Sequence, residues 1–122
     1  MYRFASDLNL DDLVGSEIHQ ICLGPADVQF RFGSGTCIAV QGRATLAAEG
    51  SVLSEWTATD GWSNREFQRM FDWQVTEYAV LNDRLLELRF TNGFALQLHD
   101  DSDQFESLQI YPGGDVREQI VV

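Results

Sequence analysis

The sequence predicts an α+β domain that is mainly β: two pseudo-repeated antiparallel four-strand units with short helices, forming a sandwich or one continuous curved sheet. Three observations predict it. Residues 28–40, VQFRFGSGTCIAV, return 58 positions later as LELRFTNGFALQL, residues 86–98. Both copies alternate apolar and polar residues on either side of a Gly-containing turn, the pattern of a half-buried β-hairpin. Arg31/Arg89, Phe32/Phe90 and Gly35/Gly93 are identical in the two copies. Neither half can bury its own apolar face, so the two must stack or join edges. The whole chain, 1–122, is read as one domain, its internal repeat spanning about 13–56 and 71–122.

In chain order, residues 6–14 place Leu10, Leu13 and Val14 at helical spacing behind Ser6 as a cap, which predicts one or two helical turns stopped by Gly15. Residues 18–23 read as a strand, and Gly24-Pro25-Ala26 as the turn after it. In the first hairpin Phe30 should face Ile38 and Val28 should face Val40. On the preceding strand Ile21 should face Phe30 and Leu23 should face Val28. Residues 44–48 form a weaker strand, and 51–56 a fifth strand or an exit loop. Thr57 to Trp62 is a polar joint between two tryptophans.

Ser63-Asn64-Arg65-Glu66 has the form of a capping box, with Ser63 capping and Glu66 reaching back. Phe67, Met70 and Phe71 follow at i, i+3 and i+4, predicting a helix over 64–72 with its stripe in the core. The second half then repeats the first. Residues 75–81 form a strand, and 85–90 with 94–99 form the hairpin. A further strand covers 105–111, and a tail strand covers 117–122.

Composition narrows the function classes. Eight Lys+Arg (every one Arg) stand against 19 Asp+Glu, for a net charge of −11. Such a field repels nucleic acid and anionic membranes and favours basic partners. No apolar run is long enough to span a bilayer. The first residues lack the charged-then-apolar pattern of an export signal, so a cytoplasmic location is expected. Cys22 and Cys37 sit a whole strand apart in a meander, beyond disulfide reach, so free thiols are expected.

Chemistry-bearing constellations are few. The acidic knot Asp100, Asp101, Asp103 and Glu106 has carboxylates suited to a hard cation. It lacks the glycine and closing Glu of an EF-hand loop, and reads as a solvated loop without metal. His99 beside Asp100 would suit a general base, yet Gly33-Ser34-Gly35 is a hairpin tip rather than a nucleophile elbow. No phosphate-cradling loop, zinc spacing or basic stripe is present, so neither cofactor nor enzyme activity is expected. Trp56 and Trp62 flank a polar turn that includes Asp60. Tryptophan there is either folded onto the core or offered to a partner as an anchor.

The segments Leu13-Val14-Gly15, Gln20-Ile21-Cys22-Leu23-Gly24, Val28–Phe32 and Ile38–Val40, with Asn92-Gly93, Leu96, Leu98 and Phe105–Ile110, carry a resemblance. Over about residues 13–111 the chain resembles a group of small acidic bacterial β-rich proteins of mostly unassigned function. Some of these accompany polymorphic-toxin genes as immunity proteins. The resemblance implies a non-catalytic protein that neutralises a cognate toxin by contact. Charge would suit a basic toxin domain, with Trp56, Asp60, Trp62, Asp100, Asp101, Asp103 and Glu106 as candidate contacts. The competing expectation is a small-ligand-binding or structural domain, with a cavity between the sheets or a homodimer edge.

Overall fold

The computed structural model describes residues 3–102, 107–114 and 119–122. The strands are β1 (Ile18–Leu23), β2 (Val28–Phe32), β3 (Cys37–Val40), β4 (Arg43–Ala48), β5 (Ser51–Thr57) and β6 (Gly61–Trp62), followed by β7 (Val75–Asn82), β8 (Leu85–Phe90), β9 (Phe94–His99), β10 (Leu108–Tyr111) and β11 (Ile120–Val121). They form two antiparallel sheets, one in the order β1-β2-β3-β10-β11 and the other β6-β5-β4-β9-β8-β7. The architecture is mainly β and sandwich-like. Among the described residues no helix is long and apolar enough to cross a membrane.

Both hairpins pair in the register that alternation dictates. Phe30 faces Ile38 and Val28 faces Val40. Leu88 faces Leu96 and Leu86 faces Leu98. Period-2 side-chain geometry sends these residues to one side, where all eight are fully buried. Together with Ala44, Leu46, Trp56, Leu108 and Ile110 they belong to one core cluster drawing on both sheets. Leu23 pairs with Val28 as expected but is 62% exposed, because the strand end carries it past the covered area.

The sheets are not assembled from one half of the chain each. β3 takes β10 from the far end as its neighbour, and β9 takes β4 from the first half. Each sheet is therefore a three-strand meander completed by strands from the other half. Matching contacts also join the leading segments of the two meanders. Val14 bridges Val75 and Ile18 bridges Phe71, with Glu17–Gln74 between them. Each meander carries a bulge near its start, at Ile18/Gln20 and at Val75/Glu77.

Three local expectations are corrected. The first helical segment is only a 3-10 turn, Asp11–Leu13, and Ser6 lies in a separate turn. The second is a 3-10 helix, Arg65–Met70, with Met70 buried. Its cap is Asn64, whose Oδ1 accepts from the Glu66 amide at 2.9 Å. Ser63 does not cap it; its Oγ instead accepts the Glu55 amide at 2.9 Å. The third correction concerns 57–62. It is the turn of a hairpin rather than a free joint, and Trp56 faces Trp62 across β5 and β6. The strand predicted over 105–111 is seen as β10, with 105 and 106 outside the described residues. Residues 117 and 118 of the predicted tail strand lie outside them too.

Candidate functional site

Strand pairing sets the outward residues of the six-stranded sheet in rows. One row runs Thr57, Arg43, His99 and Leu85; the next runs Glu55, Thr45, Gln97, Glu87 and Ala79. A third runs Val52, Ala47, Ala95, Arg89 and Glu77. Polar side chains of these rows are hydrogen-bonded into one chain across the sheet.

It begins at Arg43, whose Nε donates to Asp101 Oδ2 at 2.8 Å and whose Nη1 lies 3.5 Å from Glu55 Oε2. Arg43 Nη2 is 3.3 Å from His99 Nδ1, and His99 Nε2 is 3.0 Å from Thr45 Oγ1. Arginine only donates, so Nδ1 must accept and the imidazole proton sits on Nε2. Thr45 then accepts from Nε2 and gives its own proton to Gln97 Oε1 at 3.2 Å. Gln97 Nε2 donates to Glu87 Oε2 at 3.0 Å, and Arg89 Nε donates to Glu87 Oε1 at 2.5 Å. Arg89 Nη1 closes the chain on Glu77 Oε1 at 2.9 Å.

From Arg43 to Glu87 every bond points the same way, from a guanidinium through two neutral side chains and an imidazole to a carboxylate. Charge at both ends reinforces the intervening bonds. Burial pushes the His99 pKa down, and the Arg43 charge adds to that. Burial alone would raise Glu87; the hydrogen bonds from Gln97 and Arg89 outweigh it and hold the carboxyl below its ordinary value. The Arg43 hydrogen bond does the same for Asp101 against its partial burial.

A groove of about 490 Å³ lies on this face beside the third row. Its floor is Ala47 facing Ala95 on the neighbouring strand. The corresponding outward row of the five-stranded sheet reads Tyr111, Cys37, Arg31 and Gln20. There a tyrosine and a cysteine stand where the larger sheet has two alanines, and Gln20 stands where it has Glu77. Arg31 donates to Gln29 Oε1 at 3.2 Å, whereas Arg89 is held by two carboxylates. Cys22 and Cys37 are free thiols on either side of β2.

The candidate contacts read from sequence divide. Trp56 is 3% exposed and belongs to the core. Trp62 is half-buried, stacked on Phe67 at 4.5 Å and set edge-on to Phe30 at 6.2 Å. Asp60 is exposed at the hairpin tip. Asp100 is 1% exposed: it accepts from Ser107 Oγ at 2.7 Å and from Arg3 Nη1 at 3.0 Å. It is therefore a structural carboxylate, not a surface contact. Nor does it pair with His99, whose two nitrogens face Arg43 and Thr45. Asp101 stays on the surface, paired with Arg43. Asp103 and Glu106 lie outside the described residues.

Among the described residues no group of three His, Cys, Asp or Glu is placed to hold a metal ion. Sequence alone does not single out Arg43, Thr45 or Gln97, because the β4–β9 pairing that aligns them crosses from one half to the other. The available signal is the contrast between Gln20 and Gln29 on the first meander and Glu77 and Glu87 at the matching pairing positions of the second. Comparison with family models, with curated proteins and with solved structures gave no match.

Proposed function

We propose that the chain is a non-catalytic binding protein of the immunity type, which neutralises a cognate bacterial toxin by covering a basic surface of it. The observation that carries this reading is the outward face of the six-stranded sheet. Among the described residues, Glu49, Glu55, Glu77, Glu87 and Asp101 lie on or beside it with Arg43 and Arg89, and with Arg84 near Asp101. Its central side chains are held in place by the chain of hydrogen bonds before any partner arrives. Fixed side chains lose little freedom on docking, and an acidic face on a chain of charge −11 speeds encounter with a basic partner. The reading also treats the two halves as copies of one unit whose outward faces diverged, one toward carboxylates and one toward neutral amides.

A small-ligand role would favour a cavity between the sheets. The two larger grooves instead lie on outward faces, one beside Ala47 and Ala95 and one beside Arg31 and Tyr111. The test is co-expression with the product of the neighbouring gene. The neighbour alone should arrest growth, and this chain should restore it while co-purifying with the neighbour. A neighbour that is harmless alone, or toxicity that this chain leaves intact, would overturn the reading.

A further inference from the structure

We infer that the recess over Ala47 and Ala95 receives an arginine or lysine side chain of the protein partner; the inference rests on the binding reading above and names the chemistry of its central contact. Two facing alanines on adjacent strands leave a hollow in a row otherwise filled by Val52 on one side and Arg89 and Glu77 on the other. The five-stranded sheet has a groove of about 480 Å³ at the equivalent place, but Tyr111 and Cys37 stand there instead of the two alanines and, among the described residues, no carboxylate lines it, so only the larger sheet joins a methyl floor to acidic walls.

The walls are acidic. Glu49, on the turn after β4, and Glu77, on β7, both line the groove and are exposed. Glu87 is nearly buried behind them, its two oxygens already held by Gln97 and Arg89. Three carboxylates against one guanidinium leave a negative pocket with a floor of methyl groups. That combination suits a long aliphatic stem with a cationic head: the stem lies along Ala47, Ala95 and Val52 while the head meets Glu49 and Glu77. An anionic or neutral side chain would gain no such contact, and an anion would meet repulsion.

The test uses the full chain in two-dimensional amide NMR, titrated with Nα-acetyl-arginine methylamide and, as the neutral isostere, Nα-acetyl-citrulline methylamide. The arginine probe should give saturable shifts centred on Ala47, Ala95 and Glu87 that weaken with added salt, and the citrulline probe should not. Ala47→Tyr, which installs the residue of the other sheet, should weaken the arginine probe about tenfold or more. Glu77→Gln, on an exposed side chain, should weaken it about three-fold, as expected for loss of one solvent-facing charge. Equal shifts from both probes, no saturable shift, or unchanged binding in both variants would overturn the inference. If the probe seats in the recess while the neighbouring toxin is not bound, the recess stands and the immunity reading falls. If the toxin is bound equally well by Ala47→Tyr, the recess falls and the immunity reading stands.

Discussion

Gly15 and Asp72 occupy matching places where the two meanders meet, and each adopts the left-handed backbone conformation, with φ of 84° and 70°. The Gly15 amide donates to the Val75 carbonyl at 2.7 Å, and the Asp72 amide donates to the Ile18 carbonyl at 3.0 Å. Each follows a short 3-10 element ending on a buried residue, Leu13 in one case and Met70 in the other. The left-handed residue reverses the chain so that its amide reaches across to the other half.

That geometry predicts unequal responses at the two sites. Gly15 has open space where a Cβ would stand, so Gly15→Ala acts through backbone conformation alone. It should destabilise by about 1–2 kcal/mol. Asp72→Gly relieves the same strain but adds unfolded-chain entropy, and should change stability by less than about 0.5 kcal/mol. Urea unfolding of both variants checks the pair.

Thr45 is the hinge of the hydrogen-bond chain on the outward face. It is 1% exposed and links His99 to Gln97. Thr45→Val keeps the shape and the β-branching but leaves an imidazole N–H and an amide oxygen without a partner. The expected cost is about 1–3 kcal/mol, read as a lower urea midpoint at unchanged m-value. A cost below about 0.5 kcal/mol would mean that the chain carries no cooperative stability.

Much of this architecture is legible in the sequence, and the reasons are local. Strict alternation around Gly35 and Gly93 fixes both hairpins and their registers, because a one-residue slip would turn Phe30 or Leu88 outward. The outward site is less legible. His99 and Thr45 are 54 positions apart and meet only because β9 pairs with β4. Nothing in either segment's own pattern encodes that choice of neighbour. Asp100 looks like part of a solvated acidic run, since burial against Ser107 depends on where β10 enters the other sheet. Trp56 and Trp62 read equally well as anchors or as core, and pairing across β5–β6 takes Trp56 inward.

Acid should loosen the fold in two stages. Burial depresses the folded pKa of His99 below its ordinary 6.5. As pH falls through 6.5 the unfolded chain takes up a proton that the folded chain refuses, so stability falls until the folded pKa is reached. Glu87 and Asp101 are also depressed, from ordinary values of 4.5 and 3.8. Their contribution is present above those values and is lost as pH falls through the folded ones. Stability should therefore drop as pH falls from 6.5 toward the folded pKa of His99, and more steeply below about 4.5 as Glu87 and Asp101 protonate. His99→Gln should flatten the upper stage and leave the lower one; an unchanged upper stage would contradict the assignment.

The acidic residues near the hairpin ends should behave unequally. Asp100→Ala removes a buried acceptor of two hydrogen bonds and should cost about 2–3 kcal/mol. Asp60→Ala, at an exposed tip, should stay within about 0.5 kcal/mol. Thermal midpoints of the two variants at neutral pH distinguish them directly.

The central claim is that the outward face of the six-stranded sheet holds a basic partner. Its most direct test is the growth-rescue and co-purification assay with the neighbouring gene's product, run with wild type and with Glu49→Lys/Glu77→Lys. Both substitutions are on exposed side chains, so folding should be kept, and circular dichroism verifies it. Wild type should restore growth and co-purify with the neighbour, and the double variant should do neither. Undiminished rescue and co-purification by the folded double variant would contradict the account.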